Sequence, residues 1–111
     1  LAFPDGIDFD QAVLDMNGVP LIAAEDEVLR LGSVCVNALM GTFEGDKADG
    51  NEKRERFNLA QKINPTDGLF QVVKLSSKQK RLVLDMAEKM YLTLLYVRIY
   101  EALEGSTDVD D

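Results

Sequence analysis

Only carboxylates, tyrosines, lysines and one thiol could do acid–base or metal chemistry in this chain, because none of its 111 residues is a histidine. With histidine go the commonest general base, the commonest metal ligand and every Ser–His or Cys–His nucleophile pair. The single cysteine, Cys35, falls on an apolar stripe of helical spacing and reads as core rather than as a reactive thiol. Asp46, Asp49 and Glu52 lie close to glycine, as ligands of a calcium loop do. Ala48 and Gly50, however, occupy the two positions after Asp46 where such a loop needs oxygen ligands. Asp5, Asp8 and Asp10 cluster around Gly6 without a ligand pattern. The stretch from Gly41 to Gly45 lacks the Lys-Ser/Thr of a phosphate loop. The expectation is a protein that is not an enzyme and holds no cofactor and no metal.

The remaining charge is plentiful and unevenly placed. The chain carries a net charge of −8, which argues against bulk nucleic-acid binding, since that depends on neutralising phosphates. Residues 1–30 hold seven acids (Asp5, Asp8, Asp10, Asp15, Glu25, Asp26 and Glu27) and one base, Arg30. Residues 51–81 hold eight bases against three acids. Such polarity suits head-to-tail self-association or docking on a partner, while the plain reading is a set of solvated faces. Asp5, Asp8 and Asp10 do not suit a secretory signal. Arg98 interrupts the apolar run Met90–Tyr100, so no membrane span is expected. A lone cysteine fits a reducing intracellular compartment.

These residues must be positioned by a small set of elements. The length points to one domain, residues 1–105, followed by an acidic tail over 106–111. Asn17-Gly18 between two apolar runs predicts a hairpin with a type I′ turn, and Pro20 predicts an edge on its second strand. Glu25-Asp26-Glu27 predicts a helix start, with Val28, Leu31, Cys35 and Leu39 on one stripe and Leu29, Val36 and Met40 on another. Within that helix Gly32 allows close approach by another element, and Gly41 is a natural stop. Asp49 and Glu52 predict a capping box for a helix to about Lys62, with Phe57, Ala60 and Ile63 on its apolar side. Leu69–Leu75 reads as a strand whose economical partner is the N-terminal hairpin. Ser76 and Gln79 predict a second capping box, opening one long helix from about Ser77 to Glu104 that overhangs or kinks. The expected fold is α+β and mostly helical: an N-terminal hairpin plus one further strand, packed on three helices of which the last is long.

Two groups of residues are candidates for contact with a partner. Tyr91, Tyr96 and Tyr100 lie along the last helix, and tyrosine is enriched at interfaces because its ring is apolar and its hydroxyl tolerates water. The competing reading is the central helix of a small core. Arg54, Arg56, Lys80 and Arg81 form the second group. If they faced one way they could meet an acidic partner or, less readily, phosphates. Glu52 and Arg56 are four apart in the favourable order, so part of that charge is a helix pair.

Three blocks carry a resemblance: Leu29–Leu39, Glu52–Ile63, and Val73–Ser77 leading into the final helix to Glu104. In this pattern of apolar blocks the chain resembles small uncharacterised proteins encoded in bacteriophages and prophages. The resemblance implies a phage context and the cytoplasm of a bacterial host, with the virion as a destination. It carries no activity and no functional residues. Joined to the apolar last helix, it leads to the expectation of a non-enzymatic phage protein acting by protein–protein contact in virion assembly, as a small structural component or an assembly chaperone. Its partner would be a second copy, as a homo-oligomer, or another phage protein. The alternative is a phage-encoded regulator that binds a host protein or nucleic acid through the basic 53–81 face.

Overall fold

The structure is a computed structural model and describes residues 6–23, 26–41, 45–65 and 68–104. Two short strands, β1 (Ile7–Asp8) and β2 (Val72–Val73), pair antiparallel. Among the described residues the helices are, in chain order, α1 (Leu31–Met40), α2 (Gly50–Ile63), α3 (Ser77–Met90) and α4 (Thr93–Glu104). Helix α1 packs against both α2 and α3, and α3 packs against α4. The core between them holds Phe9, Leu31, Cys35, Leu39, Ile63, Val83, Met86, Ile99 and Leu103. This is a small α+β fold. The turn at Pro4-Asp5, the loop positions Thr66-Asp67 and the tail over 106–111 lie outside the described residues.

Between β1 and α1 the chain makes a closed ring of three extended legs, at residues 11–15, 19–23 and 27–31. The Leu21 N–H donates to the Val13 carbonyl (2.8 Å), the Leu29 N–H to Leu21 (2.8 Å), and the Val13 N–H to Leu29 (2.9 Å). A second set repeats the pattern: Asp15 to Val19, Ala23 to Glu27, and Leu31 to Gln11. Each leg is antiparallel to both of the others, with Leu14 opposite Pro20, Ile22 opposite Val28 and Ala12 opposite Arg30. Three straight strands in one plane cannot all be mutually antiparallel, so the legs cross like the sides of a triangle. Val13, Leu21 and Leu29 recur every eighth residue and turn toward the core.

The expected hairpin at Asn17-Gly18 is therefore present, but its turn is not type I′. Only Gly18 has a positive φ, of 79°. Its N–H donates to the Asp15 carbonyl, and the Asp15 carboxylate accepts from the Asn17 and Val19 N–H groups. That is the wider three-residue turn, in which glycine alone takes the left-handed position. Pro20 falls where the ladder asks for no donor.

Four other expectations are corrected. Helix α1 starts at Leu31 rather than beside Glu25–Glu27, because Leu29 commits both its N–H and its carbonyl sideways to the ring. Strand β2 pairs with Ile7–Asp8 and not with the hairpin, whose legs already satisfy one another. The apolar side of α2 is Leu59, Ala60 and Ile63 with Arg56, while Phe57 is 46% exposed. The long last helix is two helices. A continuous one of 28 residues would run about 42 Å, more than the 38 Å longest extent of the molecule.

The break falls at Tyr91-Leu92. Tyr91 closes α3 through its N–H on the Ala87 carbonyl, yet its own backbone is extended (φ −113°, ψ 151°). Its phenol donates to the Val34 carbonyl at 2.7 Å, tying the end of α3 to the middle of α1. After the break α4 folds back along α3 and buries Ile99 and Leu103. Arg98 then reaches the ring: its Nε donates to the Leu14 carbonyl (3.0 Å) and its Nη2 to the Asp15 carbonyl (2.6 Å).

Candidate functional site

The seven residues proposed for partner contact separate into four groups. Tyr96, Tyr100, Lys80 and Arg81 come together along a groove between α3 and α4, with Leu84 and Asp85 on the same wall. The break at Tyr91-Leu92 makes this groove, since it turns α4 back so that Tyr96 and Tyr100 lie along α3. Their rings sit 6.4 Å apart, centre to centre, in a tilted pair. That is within the range where aromatic rings attract one another. Tyr100 is 46% exposed and Arg81 is exposed, whereas Lys80 is buried in the wall.

Tyr91 does not join them. It is half-buried against the core, and its phenol is engaged by Val34. Burial, with the neighbouring Cys35 thiol as a lesser cause, pushes that phenol up to about 12.

Arg56 is the clearest departure from the expected basic face. It is 5% exposed and donates to the Asp46 carboxylate at 2.8 Å and to Glu52 at 3.2 Å. Its hydrogen bond to Asp46, helped by the Ala48 N–H, holds that carboxyl down at about 2. Asp46 therefore serves as a structural counter-ion to Arg56. The sequence showed the Glu52–Arg56 pair but not Asp46, which lies in a loop whose path no local pattern fixes. The remaining base, Arg54, is exposed on α2 and lines neither this groove nor the cleft described next.

Sequence reasoning missed a second concavity. Helices α2 and α3 both rest on α1 and splay apart from one another, leaving an open cleft of about 760 Å³. Leu59 and Leu82 form its apolar base, and Lys62, Lys78 and Arg81 stand on its rim. Lys62 crosses it to the Gln79 side-chain carbonyl at 3.3 Å. That Gln79 is fixed by the α3 capping box, in which Ser76 and Gln79 bond to each other's backbone N–H groups. On α2 only half of the expected box forms: Asp49 accepts from Glu52, while Glu52 turns to Arg56.

The Cys35 thiol is fully buried, and burial pushes it up to about 12, which keeps it protonated and inert. Among the described residues no three acidic or cysteine side chains converge as a metal site would require, and no described helix is long and apolar enough to cross a membrane. What the surface offers is apolar side chains beside charge, an arrangement suited to binding a protein surface. No family model, curated protein or solved structure matches the chain.

Proposed function

We propose that this chain is a phage protein that acts by protein–protein contact during virion assembly, as a small structural component or an assembly chaperone, and not by catalysis. The observation that carries this reading is the α3/α4 groove, where Tyr96, Tyr100 and Arg81 stand together beside Leu84. Tyrosine and arginine on a partly apolar wall are the residue types that dominate binding energy at protein interfaces. The phage context comes from the resemblance of the apolar blocks. A regulator working through the basic 53–81 face is the weaker reading, because two of its four named bases, Arg56 and Lys80, are buried.

Light scattering on the protein alone, and on the protein co-expressed with the products of its neighbouring genes, tests the proposal. The expected result is an assembly or a captured virion protein, lost in Tyr100→Ala. A strict monomer that captures no virion protein sinks it. If binding is instead unchanged by Tyr100→Ala but lost on reversing Arg54 and Arg81, with a steep dependence on salt, the regulator reading takes its place.

A further inference from the structure

Helix α3 opens with charge of the wrong sign for its own dipole. The N–H groups at the start of a helix carry partial positive charge, which favours acids there and disfavours bases. The first turn of α3 holds no acid, and Lys78, Lys80 and Arg81 stand at its start. The capping box that closes this end is built from Ser76 and Gln79, both neutral. Lys62, in the last turn of α2, donates to Gln79 and brings a further positive charge to the same place. This end of α3 forms one wall of the α2/α3 cleft. The apolar base there is Leu59 and Leu82, and the rim carries Lys62, Lys78 and Arg81 against Glu55 and Asp85. A segment matched to the cleft therefore brings carboxylates for the rim and an apolar side chain for the base.

We propose that the cleft takes the chain's own segment 105–111, with Val109 over Leu59 and Leu82 and with Asp108, Asp110 and Asp111 against Lys62, Lys78 and the start of α3. The segment lies outside the described residues, and its sequence matches the cleft: a single aliphatic residue set between aspartates. Helix α4 delivers it to the right place, because Glu104 lines the α3/α4 groove together with Ser77 and Arg81 at the start of α3. That groove and the cleft lie on either side of one ridge of α3, since Arg81 and Asp85 line both. Crossing the ridge means passing one helix, about 10–12 Å across with its side chains. Residues 105–109 span up to about 17 Å when extended. Tethering raises the effective concentration of the segment to the order of millimolar, so a weak contact is enough. An unrelated acidic protein would have charge alone in its favour, whereas the chain's own segment adds position and reach. The bound segment is a strap across the cleft, and any partner entering there must displace it.

The test compares backbone amide shifts, by NMR at several concentrations, in the full chain and in a chain ended after Glu104. Unchanged shifts at Cys35 and Ala38 in α1 verify that the shortened chain folds. Removing the segment is expected to move the amides of Asn58, Lys62, Lys78 and Leu82, by the same amount at every concentration. Asp108→Asn with Asp110→Asn and Asp111→Asn keeps the chain at full length and is expected to reproduce most of that movement. With Lys62→Glu and Lys78→Glu in place, removal is expected to leave the cleft amides still. Both lysines are exposed, and neither lines the groove of Tyr96 and Tyr100. A cleft that ignores both removal and neutralisation of the segment overturns the inference. So does a response that survives the two lysine reversals, or one that grows with concentration and hence comes from a second copy. Capture of a virion protein that is lost in Tyr100→Ala supports the proposed function whichever way the cleft responds. A strict monomer that captures nothing sinks that function and not the strap.

Discussion

Gly32→Ala places two effects of known sign against each other. Gly32 is the second residue of α1, and its N–H donates to the Phe9 carbonyl at 2.8 Å, which fixes its backbone. In a helix, alanine is favoured over glycine by about 0.8–1 kcal/mol. Here, however, a Cβ would overlap the ring of Phe70 at three of its carbons. Overfilling a packed site costs about 1–3 kcal/mol. Phe70 is half-buried and can swing outward, which forfeits part of the roughly 1.5–3 kcal/mol that a buried phenylalanine contributes. The packing term therefore exceeds the propensity term, and the net loss is about 1 kcal/mol, or a melting temperature lower by about 4 °C for a chain of this size. The assay is calorimetric melting of four proteins: wild type, Gly32→Ala, Phe70→Ala and the double variant. With the ring gone the overlap vanishes, so Gly32→Ala is expected to raise stability in the Phe70→Ala background. A Gly32→Ala that stabilises the wild type, or the same sign of effect in both backgrounds, refutes the reasoning.

Arg98→Met removes two guanidinium bonds to ring carbonyls and should cost about 2–3 kcal/mol, with faster amide exchange at Asn17–Val19 than at α1 as the local readout. Asp46 ionises more readily folded than unfolded, so its contribution is complete above the ordinary carboxylate range near pH 4 and is lost as pH falls through about 2. Urea titrations should show Asp46→Asn flattening the wild type's decline between those values. The Tyr91 phenol is shifted the other way, so the folded state keeps a proton that the unfolded chain releases. Stability should hold below about pH 10 and fall toward pH 12, and Tyr91→Phe should fall less over that window.

How much of this was legible depends on how local each signal is. The Asp15–Val19 turn, the Ser76–Gln79 box, the Asp49 cap and the close approach at Gly32 are each written within a few residues or in one residue type, and each is found. The acidic run before Val28 resembles a helix start locally. It is outcompeted by hydrogen bonds to Val13 and Leu21, residues whose nearness no short window reveals. The break at Tyr91 did leave a trace. Extending the buried stripe of Val83 and Ala87 past Tyr91 at 3.6 residues per turn puts Arg98 and Glu101 toward the core, whereas Ile99 and Leu103 are the buried pair. An apolar stripe that runs into charge is a phase change, and a phase change needs a break. Arg56 was misread because helical period alone marks Phe57 as the apolar choice, while the position is decided by an Asp46 counter-ion ten residues away. Of the candidate contact residues, Tyr96, Tyr100 and Arg81 reach one groove only because that break turns α4 back.

The closed ring near the N-terminus bears on how the protein can display apolar side chains without aggregating. An ordinary hairpin offers an unpaired strand edge, on which another chain can lay its own backbone without regard to fit. Here each leg is flanked by the other two, and the inward N–H and carbonyl groups are consumed in a circle. The outward backbone groups of Ala12, Ile22 and Val28 take no part in that circle, but they lie on three short legs that cross one another and so offer no long flat edge, while Met16, Val19 and Ile22 stand in water. A strand added to one leg would run out of partners within a few residues. Shortness and crossing are thus what blunt this exposed β-surface against aggregation.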